Sequence, residues 1–301
     1  MLIKLIPSVN RPSACFWYGM LQLFLYISIP DDHPKWEQEA SIIGANPGVG
    51  MKPMQADKKL DSSMIYLVRN DNKDEPSDDG ETLSNADWAF RYTKYLEKYD
   101  DTTNTVEDCS DFDTKTEACR FNPKVQLGDC AKKPYGYLVE GGKNVVEPCV
   151  LLKINRIFGW TPQEYSDQDL EEAKKLDEDY PEDQMEPEVA ELIKNNGKDK
   201  IYIDCQGENP FDKENLKGKM EYFPQDQGIP SHYFPYVHGN RYEDAKRNYH
   251  NPLVAVKFRN LTPGVLYHVQ CKLWAKGVRH SKKERAGLVH FEIFLDDEIP
   301  E

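Results

Sequence analysis

Cysteine is the residue type with the clearest chemistry in this sequence. Of the seven cysteines, Cys15 lies in an apolar run, and the polar body holds the other six: Cys109, Cys119, Cys130, Cys149, Cys205 and Cys271. No C-x-x-C pair occurs, so the usual spacings of zinc ligands and thioredoxin-like sites are absent. Six body cysteines behind an apolar segment predict an oxidising compartment and three disulfides, for which fifteen connectivities exist.

The other motifs point to modification rather than catalysis. Asn260-Leu261-Thr262 is an N-x-S/T sequon, so Asn260 is the candidate glycosylation site. The sequence lacks G-x-S-x-G, H-E-x-x-H and P-loop motifs, and its seven histidines form no close pair on a helical face. We therefore expect no catalytic residue, no metal ligand and no cofactor.

The charge of the chain excludes one class of partner. The formal net charge is −14, and a surface this negative repels phosphate backbones, so nucleic acid is not an expected partner. Acidic residues are concentrated in 167–191, which we interpret as a solvated face or loop.

The apolar segment near the N-terminus predicts a membrane anchor. Residues 14–29 carry no charge and would span about 24 Å as a helix, against a hydrocarbon core of about 30 Å. Basic residues precede the segment and Asp31 and Asp32 follow it, which orients the N-terminus to the cytosol. A cleaved signal peptide and a buried helix are the alternatives. Because no small-x-small cleavage site follows, we favour an uncleaved transmembrane signal anchor over 14–30 after a cytosolic tail of 1–13.

Patterning in the rest of the chain predicts a mainly β domain. Prolines and glycines make 31–61 an extended juxtamembrane segment. Ser84 and Asp87 resemble a capping box, and an aromatic stripe at helical spacing follows them. Eight runs read as strands: 62–69, 135–139, 148–158, 201–205, 219–223, 253–259, 264–274 and 288–295. This order predicts an antiparallel sandwich with one helix over 62–301.

Strand alternation also orients two of the cysteines. Cys205 shares a strand face with Ile201 and Ile203, and Cys271 shares one with Val269 and Leu273. Both therefore point inward, which suits one buried disulfide between strands.

Several blocks of sequence, taken together, resemble a known family. They are SIIGANPGVGMKPM at 41–54, a cysteine-containing block at 119–159, YFPY at 233–236 and NPLVAVKFRNLT at 251–262. In this order they resemble the β subunits of Na⁺/K⁺-transporting ATPases, and the first block is similar to the insect-type members.

The resemblance implies a non-catalytic, single-pass type II protein of the plasma membrane with an immunoglobulin-like extracellular domain. It implies the sequential disulfides Cys109–Cys119, Cys130–Cys149 and Cys205–Cys271. It further implies that the chain binds the catalytic α subunit of the pump, assists its folding and delivery to the membrane, and tunes its ion affinity. The resemblance also implies a contact with the α subunit for the four residues that match the family's α-facing segment: Tyr233, Phe234, Pro235 and Tyr236.

Two alternative functions fit the same architecture. One is a cell-adhesion or secreted disulfide-rich binding module, and the other is the β subunit of an H⁺/K⁺ pump. The insect-like block at 41–54 favours the Na⁺/K⁺ pump over the second.

Overall fold

The computed structural model describes most of the chain in segments. These are residues 11–29, 33–55, 63–69, 76, 83–103, 105–109, 118–138, 145–178, 181–237, 249–284 and 286–297. Residues 1–10 of the expected cytosolic tail therefore lie outside the described residues.

Helix α1 (Arg11–Ser28) occupies the apolar N-terminal segment and begins earlier than the predicted residue 14. Pro12 is tolerated because the first turn of a helix leaves its backbone N–H groups unbonded. Most of its large side chains, including Trp17 and Ile27, are exposed. In the described part of the chain, no helix is both long and apolar enough to cross a membrane.

Two β-sheets form the body. The first contains β1 (Val49–Lys52), β5 (Cys149–Ile154), β7 (Met220–Phe223) and β9 (Leu253–Phe258). Its order is β1-β5-β9-β7, and every neighbouring pair is antiparallel. The prediction of an extended segment over 31–61 missed β1, which is an edge strand of this sheet.

The second sheet has five strands. They are β2 (Met64–Val68), β6 (Lys200–Gly207), β8 (Gly228–Pro230), β10 (Leu266–Trp274) and β11 (Leu288–Asp296). The order is β2-β11-β10-β6-β8. Strands β2 and β11 run parallel, which corrects the prediction of a purely antiparallel body. The short strands β3 (Thr105–Val106) and β4 (Ala118–Cys119) also pair in parallel.

The two sheets share one hydrophobic core. Fully buried side chains from both sheets belong to one cluster, as Leu151 of β5 and Val269 of β10 illustrate. The rings of Phe258 in β9 and Phe291 in β11 meet edge to face, 6.0 Å between centroids. A mainly β domain, as predicted from alternation, is therefore confirmed.

Helix α2 (Asn85–Leu96) closes part of this core. The predicted capping box is confirmed, because Ser84 Oγ accepts from the Asp87 N–H and the Asp87 carboxylate accepts from the Ser84 N–H. On its buried face, Trp88 Nε1 donates to the carbonyl of Tyr66 and the Tyr92 hydroxyl donates to that of Cys130, both at 2.8 Å. These two hydrogen bonds fix α2 against the body.

Within the described residues of the body, four further helices correct the prediction of one helix. They are α3 (Pro123–Gln126), α4 (Asp167–Ala173), α5 (Pro187–Asn196) and α6 (Pro210–Leu216). Helices α4 and α5 lie in the acidic stretch that was expected to be a face or loop. They bury a second cluster, including Leu170 and Ile193, against Tyr202 and Trp274 of the five-stranded sheet. Their short apolar stripes were hidden by the surrounding charge.

The predicted strand at 135–139 is wrong for its described residues, which form turns. Tyr135 and Gly136 adopt positive φ angles of 59° and 78°. A side chain at residue 136 would meet the carbonyl oxygen of Glu147 at 1.8 Å. This close backbone approach requires glycine and prevents a regular strand.

Three disulfides connect the elements in sequential order. Cys109–Cys119 lies at the β4 end, and Cys130–Cys149 ties the 3-10 helix Gly128–Ala131 to β5. Cys205–Cys271 joins directly opposed residues of β6 and β10. This disulfide links neighbours within one sheet, whereas the disulfide typical of antibody domains links two sheets.

The lengths of the disulfide loops predict their relative contributions to stability. Cys205–Cys271 spans 66 residues and Cys109–Cys119 spans 10. Replacing both cysteines of the longer loop by serine should lower the free energy of unfolding by about 4 kcal/mol, against about 3 kcal/mol for the shorter loop. Urea denaturation of the full chain measures both values. A larger loss from the shorter loop would contradict the prediction that loop length sets the relative contribution of each disulfide.

Asp204 on β6 predicts a pH dependence of stability. Burial beside α5 raises the pKa of Asp204 to about 7, and Glu186 adds to the shift. The unfolded chain releases this proton near pH 4, so the folded chain loses stability as pH rises from about 4 to about 7. Asp204→Asn should reduce this loss. The control Asp199→Asn, which changes an exposed residue, should leave the loss as it is in wild type. The midpoints of urea denaturation, measured at both ends of this pH range, give the loss of stability. An equal loss for wild type and Asp204→Asn would refute the prediction.

Candidate partner-binding surface

The segment 233–236 lies beside the chain that follows β5. It begins at the end of the 3-10 helix Ser231–Tyr233, and the peptide bond between Phe234 and Pro235 is cis. Tyr236 pairs in parallel with Phe158, and its carbonyl accepts a hydrogen bond from the Gly159 N–H at 2.9 Å. The backbone of the segment is therefore held at both ends.

Tyr233 is part of the core. The residue is 6% exposed, and its ring meets that of Phe121 edge to face at 5.7 Å. Its hydroxyl accepts a hydrogen bond from Gln126 Nε2 at 2.7 Å. Burial raises the pKa of Tyr233, an effect that the Gln126 hydrogen bond opposes. In this position the ring stabilises the fold and is covered by the chain's own residues.

Phe234 and Tyr236 are half-buried and each packs on a different neighbour. The ring of Phe234 stands perpendicular to that of Trp160, 5.4 Å between centroids. The ring of Tyr236 meets Tyr249 edge to face at 5.0 Å. The guanidinium of the exposed Arg156 lies 5.2 Å from the Tyr236 ring and 5.3 Å from the Tyr249 ring, within cation–π range.

Arg156 also donates to the Tyr249 carbonyl at 3.2 Å, so its side chain is positioned over these rings. We name the group of Phe234, Pro235, Tyr236, Trp160 and Arg156 the aromatic surface. It presents apolar rings and one positive charge on a backbone that is held in place by the pairing of Tyr236 with Phe158. Tyr, Trp and Arg are the residue types that most often dominate binding energy at protein interfaces. The arrangement is therefore suited to binding another protein.

The described residues next to the segment 233–236 do not form a metal centre. One group, Cys109, Cys119 and His232, has its potential ligand atoms within 4.8 Å of one another. Both sulfurs belong to a disulfide, so they are not thiolates and cannot serve as strong ligands.

Comparison with known proteins agrees with the sequence blocks. A family model described as the sodium/potassium ATPase beta chain matches residues 13–291. Sodium/potassium-transporting ATPase subunit beta-1 of Drosophila melanogaster is 30% identical over 279 residues, which cover 90% of this chain and 78% of the relative. A probable subunit beta-3 of Caenorhabditis briggsae is also 30% identical, covering 95% and 77%. The beta-1 subunit of Tetronarce californica is 29% identical, covering 94% and 84%.

The chain belongs to the sodium/potassium ATPase β-chain family. Its function is accordingly that of a β subunit of the Na⁺/K⁺ pump. Such subunits are regulatory and non-catalytic, so the chain is not itself an enzyme.

The predicted sites have different surroundings. Asn260 is exposed with φ 51°, beside the buried Leu261, so its side-chain amide is accessible for modification. Its glycosylation stays a prediction. The predicted partner contact also stays a prediction for Phe234, Pro235 and Tyr236, whereas the burial of Tyr233 places that ring behind the surface.

Sequence reasoning gave no role to Arg156 and Trp160. Arg156 lies in the block at 119–159 that carried the family resemblance and Trp160 directly follows that block, far along the chain from residues 233–236. The pairing of Phe158 with Tyr236 brings this part of the chain to the aromatic surface. The linear sequence does not show that this cation lies next to the aromatic motif in the folded chain.

Tyr233 and Tyr236 should respond differently to truncation. Tyr233→Ala should lower the free energy of unfolding by about 3–5 kcal/mol, because it empties a core site and leaves Gln126 without its acceptor. Tyr236→Ala should cost clearly less, since its ring is half-buried. Urea denaturation of the full chain compares them. Equal losses would contradict the division into core and surface residues.

Proposed function

We propose that this chain binds the catalytic α subunit of a Na⁺/K⁺-exchanging pump and that the aromatic surface forms part of the contact. The observation that carries the proposal is the arrangement of Phe234, Tyr236 and Arg156, whose rings and cation are held in place by the chain yet reach its surface. The relatives are subunits of sodium/potassium-transporting ATPases, which supplies the partner.

Rigidity makes this surface effective for binding. Aromatic rings bury much apolar area while few rotatable bonds are frozen, so the entropic cost of binding is small. The cation–π contacts already position Arg156 before the partner arrives. Through such a contact, the chain would support folding of the α subunit and its delivery to the membrane, and would tune its ion affinity.

We further propose that α1 anchors the chain in the bilayer as a type II protein. Its apolar part, from residue 14 to Ser28, would extend about 22 Å, which is shorter than the hydrocarbon thickness of about 27 Å in the endoplasmic reticulum membrane; local thinning of the bilayer accommodates such a short segment. Exposed apolar side chains on the helix, such as Trp17 and Leu21, favour a non-aqueous environment. In this proposal 1–13 is cytosolic, 31–61 is juxtamembrane, and 62–301 is an immunoglobulin-like domain outside the plasma membrane.

The proposed contact predicts a loss of assembly without a loss of folding. Tyr236→Ala should weaken co-purification with the α subunit by about thirtyfold in affinity, because an interface anchor contributes about 2 kcal/mol or more. Quantitative pull-down from co-expressing cells measures assembly, and a thermal melt of the full chain monitors folding.

Phe211 provides the matched control for this test. It is an exposed aromatic residue on α6, outside the aromatic surface. Phe211→Ala should leave assembly unchanged. Normal assembly of Tyr236→Ala, or an equal loss of assembly with Phe211→Ala, would contradict the proposal that the aromatic surface forms part of the contact.

The proposed topology predicts coupled effects on glycosylation and anchoring. Glycosidase treatment should shift the electrophoretic mobility of the chain, and Asn260→Gln should abolish the shift.

Leu21→Arg, near the middle of α1, should release the chain from carbonate-washed membranes, since a central arginine costs about 2.5–3.5 kcal/mol.

Ile27→Arg is the control, because an arginine near the helix end can extend its charge to the interface. It should have the smaller effect. A glycosylated chain that remains membrane-bound with Leu21→Arg would contradict anchoring through α1. A membrane-bound chain without any glycan would contradict the lumenal position of Asn260.

A further inference from the structure

A group of histidines and carboxylates lies on the face of the five-stranded sheet opposite the shared core. His268 of β10 pairs across the strands with Glu292 of β11, and His290 pairs with Gln270. Their neighbours in sequence, such as Val269 and Phe291, point into the core instead. His268, His290 and Glu292 therefore emerge side by side on one face.

The two imidazole rings are oriented in the same way. Nδ1 of His268 lies 3.1 Å from Asp212 Oδ2, and Nδ1 of His290 lies 2.8 Å from Glu208 Oε2. The second pair is close but lacks the alignment of a hydrogen bond. With Nδ1 directed to a carboxylate, the Nε2 atoms of His268 and His290 lie 3.9 and 3.6 Å from the same oxygen, Glu292 Oε1.

This is the arrangement found around protein-bound zinc. Metal-ligating histidines usually direct their second ring nitrogen to a carboxylate, which fixes the tautomer and orients the ring. Here Asp212 and Glu208 occupy the positions of those carboxylates, while His268, His290 and Glu292 occupy the positions of the ligands.

Sharing one ion requires the two histidine rings to move closer together, because the three ligand atoms do not yet all lie within 4.8 Å of one another. The ring centroids of His268 and His290 are 6.2 Å apart, with 24° between their planes. Two imidazoles bound tetrahedrally at about 2.1 Å would have centroids about 5 Å apart. The ligand side chains are 30–36% exposed, so they can rotate by this amount and a cation can enter from solvent.

Charge and burial independently favour a cation here. Asp212, Glu208 and Glu292 carry three negative charges, and Lys282, 3.0 Å from Glu208, offsets one of them. The remaining two match a divalent cation when both histidines are neutral. Asp212 is fully buried, and its Oδ1 has no hydrogen-bond partner. A buried carboxylate is costly without a positive charge nearby, and a metal-bound His268 would supply one.

We propose that His268, His290 and Glu292 bind a divalent transition-metal ion of the zinc type, with water completing a tetrahedral site. Asp212 and Glu208 position the two rings. Imidazole nitrogens favour zinc over calcium or magnesium, which prefer oxygen ligands. The site is separate from the aromatic surface, and the expectation of no metal ligands rested on helical spacing and did not consider pairing between strands.

Zinc titration of the purified full chain tests the proposal. Calorimetry in metal-free buffer at pH 7.5 should show one Zn²⁺ bound per chain. His268→Asn and His290→Asn should each weaken binding at least tenfold, and Asp212→Asn should weaken it by about 10–100-fold through ring orientation. Melting temperatures of the two histidine variants without zinc should stay close to that of wild type, since both side chains are partly exposed.

His232→Asn is the matched control, because this exposed histidine lies beside the Cys109–Cys119 disulfide and outside the proposed site. Its zinc affinity should equal that of wild type. Absence of stoichiometric zinc binding would overturn the proposal. Unchanged affinity in His268→Asn, or a loss confined to His232→Asn, would also overturn it.

Discussion

The register of β10 is the constraint on which the rest of the body depends. This strand lies between β6 and β11 and sends alternate side chains to two different environments. Tyr267, Val269 and Leu273 enter the core shared by the two sheets, while His268 and Lys272 face the layer that contains α4, α5 and α6. A slip of one residue would exchange these environments for every side chain. The Cys205–Cys271 disulfide joins opposed residues and prevents such a slip.

The strands and α2 could be predicted because their signals are local. Period-two alternation located β10 and β11, and runs of strand-forming residues located β6 and β9, to within a few residues; the Ser84–Asp87 capping box located the start of α2. Helices α4 and α5 are short and charged, so their apolar stripes were not recognised against the acidic background. The parallel pairing of β2 with β11 joins distant parts of the chain, and no turn between neighbouring strands fixes its direction.

The arrangement of the candidate partner-binding surface could be predicted only in part, for a similar reason. Sequence comparison located 233–236 as a unit, but burial separates its members: Tyr233 bonds to Gln126 in the core, while Tyr236 meets Arg156 near the surface. These partners come from α3 and from the chain after β5, so the difference arises from tertiary contacts. The same limitation concealed the histidine pair of β10 and β11, which is adjacent in space and 22 residues apart in sequence.

Amide hydrogen exchange on the full chain, alone and in complex with the α subunit, tests the central claim most directly. We predict slower exchange in the complex for peptides covering 233–237 and 156–160, which contain the aromatic surface. Peptides from β10 should exchange equally slowly in both states, because the core is already formed. Unchanged exchange at 233–237 and 156–160, with new protection elsewhere on the body, would contradict the assignment of the partner contact to the aromatic surface.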